Sequence, residues 1–87
     1  MEVSTSAQAI NAASAFLDRE NFRRYGYVPA VDAEHVRVVP NGSVVPWNTE
    51  AYLRTRDIND GLAGNWPIFV DAASGECRLT TRDDFRD

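Results

Sequence analysis

The amino-acid sequence predicts an α+β fold, in which an N-terminal helix packs on a small antiparallel sheet of three to four strands. Three observations support this prediction. Apolar residues recur at helical spacing over residues 4–20, and an alternating segment at residues 34–47 contains the pair Asn41-Gly42. A nearly continuous apolar stretch then follows at residues 65–70. One helix followed by antiparallel strands is the pattern of the α+β class.

The predicted helix spans residues 4–20. Thr5 is the expected N-cap, and Gln8 stands three residues later, as in a capping box. One face of the helix is apolar and contains alanines small enough to allow close approach to a sheet. That face comprises Ala9, Ile10, Ala13, Phe16 and Leu17. Residues 21–33 break the helical period, so we expect a connection there that is held down by aromatic side chains.

A hairpin is predicted around Asn41-Gly42, because both residue types tolerate the positive φ angles of a tight turn. Pro40 and Pro46 have no backbone N–H to donate to a sheet. The two strands of this hairpin are therefore expected to be short or to have an exposed edge.

The stretch at residues 65–70 predicts the central strand. It is apolar on both faces, so we expect the helix to cover one face and another layer to cover the other. Trp66 is accordingly predicted to lie in the core. Residues 71–75 fit a short loop with Gly75 in the left-handed conformation, and residues 76–79 are predicted to return as a strand.

Length and charge limit the possible functions. The chain has 87 residues, so residues 1–87 are predicted to form a single domain. Thirteen acidic residues against nine basic ones give a net charge of −4, which disfavours nucleic-acid binding, since contacts with phosphate dominate that binding. No segment predicts a signal peptide or a membrane span. We therefore expect a cytoplasmic protein with no nucleic-acid or membrane partner.

No group of residues predicts catalysis. His35 is the sole histidine, and the sole cysteine, Cys77, falls on a predicted core face, so a reactive Cys–His pair is not expected. The sequence DINDG at residues 57–61 begins like a calcium-binding loop but lacks the ligands needed at the fifth and twelfth positions. The sequence predicts no catalytic residue, no metal site and no cofactor, and hence a protein that is not an enzyme.

The loop from Trp47 to Asp60 and the adjoining sheet edge form the candidate partner-binding surface, most of which lies in residues 50–62. This segment is polar and irregular, with one helical turn expected at residues 50–54. Tryptophan and tyrosine are common interface anchors and also bulky core residues, and for Trp47 and Tyr52 both interpretations remain open. Neighbouring charges of both signs are typical of the rim of an interface. The predicted partner-binding residues are Trp47, Tyr52, Arg54, Arg56, Asp57 and Asp60.

Two longer motifs dominate the second half of the chain. They are VPWNTEAYLRTRD at residues 45–57 and LAGNWPIFVDAASGE at residues 62–76, and the N-terminal helix ends in AFLDRE. With these motifs the chain resembles the YrhB-type domain family, also known as the immunity protein 35 family, over nearly its whole length. Arg56 departs from the family pattern, which usually has glycine at that position.

The resemblance implies a small α+β protein that binds a partner. Many members are encoded beside polymorphic toxins and are taken to be immunity proteins, so the implied role is to neutralise a toxin by occlusion. An acidic surface would speed capture of a basic toxin. Two alternatives remain open, a stand-alone chaperone-like holder and a small regulatory protein. The chain could also form a homodimer through its edge strands.

Overall fold

The computed structural model describes residues 5–63 and 65–85. Over these residues it contains two α-helices and six β-strands, which confirms the predicted α+β class. The helices are α1 (Ser6–Glu20) and α2 (Glu50–Thr55). The strands are β1 (Pro29–Val31), β2 (Arg37–Val39), β3 (Gly42–Val45), β4 (Trp47–Thr49), β5 (Ile68–Asp71) and β6 (Cys77–Leu79). Short 3-10 turns lie at Phe22–Tyr25, Ala33–His35, Ile58–Asp60 and Arg82–Phe85.

Helix α1 begins with the predicted capping box. The Thr5 hydroxyl accepts a hydrogen bond from the Gln8 backbone N–H, and the Gln8 side chain accepts one from the Thr5 N–H, both at 3.1 Å. The helix ends at Asn21, whose φ of 54° is left-handed. Its apolar face packs against strands β3 and β5 to form the core. The buried residues of this core are Ala9, Ala13, Phe16, Leu17, Val45, Trp47, Ile68 and Val70.

The strands form two antiparallel sheets. The larger has the order β2-β3-β5-β6 and contains both predicted hairpins. The smaller pairs β1 with β4, with Val31 opposite Trp47. Strand β1 was not predicted, because it lies in the segment that was expected to be a connection and is only three residues long. The β1–β4 pair holds this segment beside α2, and it thereby helps to shape the site described below.

The first hairpin differs by one residue from the prediction. Val39 pairs with Gly42, so Pro40 and Asn41 form the turn and Gly42 is the first residue of β3. Neither Asn41 nor Gly42 has a positive φ. Gly42 serves a different purpose, because a Cβ atom there would lie 2.2 Å from the carbonyl oxygen of Val70 on β5. Glycine at this position therefore allows the close approach of two central strands.

Strand β5 is a central strand, as predicted, but two expectations about it are wrong. On the face of the sheet opposite α1, Phe69 is only half-buried, and the Arg78 guanidinium lies 5.0 Å from its ring centre. Among the described residues, this face of the sheet is covered at Phe69 by the Arg78 side chain of the neighbouring strand β6, and not by a second helix or sheet. Trp66 is 44% exposed rather than part of the core, because it precedes the first residue of the strand, Ile68.

Candidate functional site

The predicted partner-binding residues lie mostly at one end of the molecule, on α2 and the turn that follows it. Tyr52 and Arg54 belong to α2, and Arg56 ends this helix. Asp57 and Asp60 flank Ile58 in the 3-10 turn. We call residues 50–62 the α2 edge. The structure thus brings five of the six predicted residues together and sets Trp47 apart from them.

Trp47 lies in the core, where it is only 6% exposed. Its ring stacks on Phe22 with 4.8 Å between ring centres, and its indole Nε1 donates a hydrogen bond to the Trp66 carbonyl oxygen at 2.7 Å. The Asn65 side chain in turn donates to the Trp47 carbonyl oxygen. With so little accessible surface, the indole supports the β1–β4 pair from within and offers almost no contact area to a partner.

Thr49 connects α2 to the turn that follows it. Its hydroxyl oxygen accepts a hydrogen bond from the Tyr52 backbone N–H at 3.0 Å, which caps the start of α2. The same hydroxyl donates to the Asp60 carbonyl oxygen at 2.6 Å. Thr49 is buried, so water does not compete for these bonds. One side chain therefore fixes the beginning of the helix and the end of the turn relative to each other.

Arg56 ends α2 in the left-handed conformation, with φ of 58° and ψ of 20°. The backbone there favours glycine, so an arginine carries a steric cost of about 1 kcal/mol. Its guanidinium donates to both carboxylate oxygens of Asp32, at 3.1 and 3.3 Å, and lies 3.9 Å from Glu34. It also lies 5.7 Å from the centre of the Tyr52 ring. These contacts tie the end of α2 to the segment before β2.

Asp32 is kept ionised by its neighbours. Burial by itself raises the pKa of a carboxyl group, but hydrogen bonds from Arg56 and His35 outweigh burial and hold the pKa of Asp32 below its usual range. The His35 Nδ1 atom lies 2.9 Å from the Asp32 carboxylate. Conversely, the hydrogen bond to Asp32 raises the pKa of Arg56. The ion pair is therefore expected to persist into acidic solution.

The left-handed Arg56 predicts an order of stability between two variants. Arg56→Gly and Arg56→Ala both lose the ion pair with Asp32, but only glycine relieves the left-handed backbone. Arg56→Gly should therefore be more stable than Arg56→Ala by about 1 kcal/mol in urea-induced unfolding. Because the Arg56 side chain is 42% exposed, its ion pair with Asp32 should contribute about 1 kcal/mol, so Arg56→Gly should also be close to the wild-type chain. Equal stabilities of the two variants would contradict this account.

The turn after α2 is held by hydrogen bonds at each step. The Asp57 side chain accepts from the Asn59 N–H at 2.9 Å, and the Asp60 side chain accepts from the Thr55 hydroxyl at 2.7 Å. At the end of the turn, the Asn48 side chain accepts from the Leu62 N–H at 2.9 Å. These bonds leave the carboxylates of Asp57 and Asp60 at the surface in a defined position.

A cleft of about 340 Å³ runs between α2 and the segment that leads into β1. Tyr27, Val28, Glu50, Arg54 and Asp60 are among the residues that line it. Burial and the neighbouring Tyr25 raise the pKa of Tyr27, so its hydroxyl stays neutral. Arg54 makes no hydrogen bond or ion pair with any described residue, which leaves its charge available to a partner.

Ile58 is the surface residue that the sequence prediction missed. It is 83% exposed, the highest value among the exposed large apolar side chains. It lies between Asp57 and Asp60 in the turn. An available signal was the presence of a single β-branched apolar residue in the otherwise polar DINDG sequence. Because Ile58 fits neither a helical nor a strand period, the sequence pattern did not predict whether its side chain is buried or exposed.

The described residues show no arrangement suited to metal binding. Within residues 5–63 and 65–85, no group of three or more His, Cys, Asp and Glu side chains is close enough together to hold a metal ion. Burial raises the pKa of the Cys77 thiol, which disfavours the reactive thiolate. What the α2 edge does present is a fixed apolar side chain, carboxylates and a cation, which are the elements of a protein-contact surface.

The sequence model of the immunity protein 35 family matches residues 7–84, which is nearly the whole chain. The chain belongs to the immunity protein 35 family. This result confirms the resemblance seen in the sequence motifs, although the match bears the immunity-protein name and not the YrhB name. No curated protein and no solved structure matches the chain. The residues that line the cleft and the residues of the α2 edge all lie within the part of the chain that matches the family, residues 7–84.

In the part of the chain that the structure describes, no helix is both long and apolar enough to cross a bilayer.

Proposed function

We propose that this chain is an immunity protein that neutralises a toxin by binding it and covering its functional surface. The observation that carries the proposal is its membership of the immunity protein 35 family over residues 7–84. Occlusion requires affinity and steric blockage, and it requires no turnover by the immunity protein. We further propose that the complex forms in the cytoplasm.

We propose the α2 edge as the contact surface. Three features support it. Its backbone is fixed by hydrogen bonds with the side chains of Thr49, which donates to the Asp60 carbonyl oxygen, and Asn48, which accepts from the Leu62 N–H, so little conformational entropy is lost on binding. Arg54 is exposed and unpaired among the described residues. The adjoining cleft of about 340 Å³ provides a concave region into which a side chain of the toxin can insert. Trp47 is excluded from this surface because it is buried.

The charge of the α2 edge suggests the character of the toxin surface. The exposed carboxylates of Glu50, Asp57 and Asp60 outnumber the two arginines of this edge, and the whole chain has a net charge of −4. A basic toxin surface would be attracted over the distances at which the partners first meet, which raises the association rate more than the final affinity. The proposed partner is therefore a toxin domain with a basic contact region.

The proposal predicts that a toxin domain is encoded next to the gene of this chain, and binding of the chain to that domain tests the proposal. We expect a one-to-one complex by titration calorimetry. In stopped-flow measurements at low salt, the double variant Asp57→Asn, Asp60→Asn should associate about tenfold more slowly than the wild-type chain. The difference should shrink as salt screens the charges.

A matched control changes the same number of charges elsewhere. Asp18→Asn with Glu20→Gln removes two exposed carboxylates at the end of α1. If this control slows association as much as the α2-edge variant, net charge matters and the proposed surface is wrong. If the wild-type chain does not bind the toxin domain, the proposed function is wrong.

A further inference from the structure

We propose that Ile58 is the apolar anchor of the toxin complex, and that it inserts into an apolar socket bordered by arginine or lysine side chains of the toxin. This inference rests on the proposed function and specifies the partner chemistry of the same site. Its starting observation is the exposure of Ile58, at 83%. In that position the side chain contributes almost nothing to the core, so packing does not explain an isoleucine there.

The backbone that carries Ile58 is held in place by hydrogen bonds. The Ile58 carbonyl oxygen accepts from the Gly61 N–H at 3.3 Å, and the Asp57 carbonyl oxygen accepts from the Asp60 N–H at 2.9 Å. The Thr49 hydroxyl fixes the Asp60 carbonyl oxygen from the buried side. A β-branched side chain also has few rotamers to lose. The turn therefore presents an apolar group that is already ordered before binding, as expected for an interface anchor.

The turn that carries Ile58 packs closely on α2. A Cβ atom at Gly61 would lie 2.7 Å from the ring of Tyr52, so the turn lies directly against α2 at this residue. The hydrogen bond from the Thr55 hydroxyl to the Asp60 carboxylate adds a second link to the helix, at 2.7 Å. The rigid support is polar or aromatic, and Ile58 is the apolar group that projects from it.

The surroundings of Ile58 indicate the rim of the socket. Asp57 precedes it, Asp60 follows two residues later, and both carboxylates are exposed. An apolar socket with a basic rim would bury the isoleucine and pair the two carboxylates, whereas an acidic rim would be repelled. In such an interface the buried apolar anchor controls dissociation, and the charged rim controls association. This division gives the two parts different kinetic signatures.

The test compares the truncation to alanine of two exposed β-branched side chains on the wild-type background. Ile58→Ala removes the proposed anchor, and Val38→Ala removes another exposed β-branched side chain, which is 69% exposed on β2. Binding to the toxin domain encoded next to the gene is followed by surface plasmon resonance. We expect Ile58→Ala to weaken binding about 30-fold, mainly through faster dissociation, with an unchanged melting temperature. Val38→Ala should bind within about twofold of wild type, and Ile58→Val should recover most of the affinity.

The possible outcomes separate the anchor from the proposed function. If the wild-type chain binds the toxin domain and Ile58→Ala binds equally well, the anchor is wrong while the immunity role stands. The anchor is also wrong if Val38→Ala weakens binding as much as Ile58→Ala. If the wild-type chain does not bind the toxin domain, the proposed function fails and the anchor fails with it.

Discussion

Replacing Trp47 with alanine is expected to lower the free energy of unfolding by about 3–5 kcal/mol. The indole is 6% exposed, stacks on Phe22 and donates a hydrogen bond to the Trp66 carbonyl oxygen. Its loss would leave a large cavity and would remove the hydrogen bond to that carbonyl oxygen. A chain of 87 residues has a total stability of roughly 5–10 kcal/mol, so the variant should lose a large part of it and melt at a markedly lower temperature.

Trp66→Ala is the matched control for this prediction. It removes the same side chain from a position that is 44% exposed, so we expect a loss of no more than about 1.5 kcal/mol. Chemical unfolding followed by circular dichroism measures both variants. A Trp47→Ala protein of wild-type stability would show that the indole does not belong to the core and would restore it as a candidate contact residue.

Replacing Gly42 with alanine is expected to destabilise the chain by about 3 kcal/mol. The added Cβ would meet the Val70 carbonyl oxygen at 2.2 Å and the Phe69 ring at 2.7 Å. A backbone oxygen cannot rotate away as a side chain can, so β3 and β5 would have to separate and lose hydrogen bonds. Because β3 and β5 are the central pair of the larger sheet, the distortion would affect its whole width.

Gly26→Ala separates this steric effect from the conformational cost of replacing a glycine. Gly26 has a φ of 91°, and a Cβ added there would meet no atom within 4 Å. In this variant the backbone is strained but the added methyl group makes no clash, so we expect the free energy of unfolding to fall by about 1 kcal/mol. The melting temperatures should thus fall in the order wild type, Gly26→Ala, Gly42→Ala. The reverse order of the two variants would contradict the packing account of Gly42.

Local chemistry made part of this fold predictable. The capping box of Thr5 and Gln8 and the apolar face of α1 depend on residues three or four positions apart, and both were predicted from the sequence. The first hairpin was found within one residue. The turn lies one residue earlier than predicted, because Gly42 is part of β3, where it allows close approach to Val70 on β5. Val70 lies nearly 30 residues further along the chain, so no local pattern contains that information.

The errors in the fold have the same origin. Strand β1 has three residues, one of them proline, so its own sequence gives a weak strand signal. It forms by pairing with β4, and the β2–β3 hairpin separates these two strands in the sequence. Alternation placed Trp66 on the same face as Ile68, but the strand begins after Trp66. In both cases the outcome depends on which segments meet, whereas the sequence pattern reports only which residues share a face.

The sequence grouped the candidate residues in one segment, but it did not show which of them lie at the surface. Charges of both signs and an aromatic residue located the α2 edge, and the structure brings five of the six predicted residues to it. Whether Trp47 belonged to the core or to the surface depended on Phe22, 25 residues earlier in the chain. Ile58 carried no periodic signal, so its exposure became apparent only when the turn was placed on α2.

The most direct test of the account is an amide chemical-shift map of the ¹⁵N-labelled chain, alone and in complex with the toxin domain encoded next to its gene. We predict that the large shift changes fall on residues 50–62 and on the residues that line the adjoining cleft. The strands β2 and β6 at the two edges of the larger sheet should change little. Large changes confined to β2 or β6, with residues 50–62 unaffected, would contradict the assignment of the α2 edge as the toxin-binding surface.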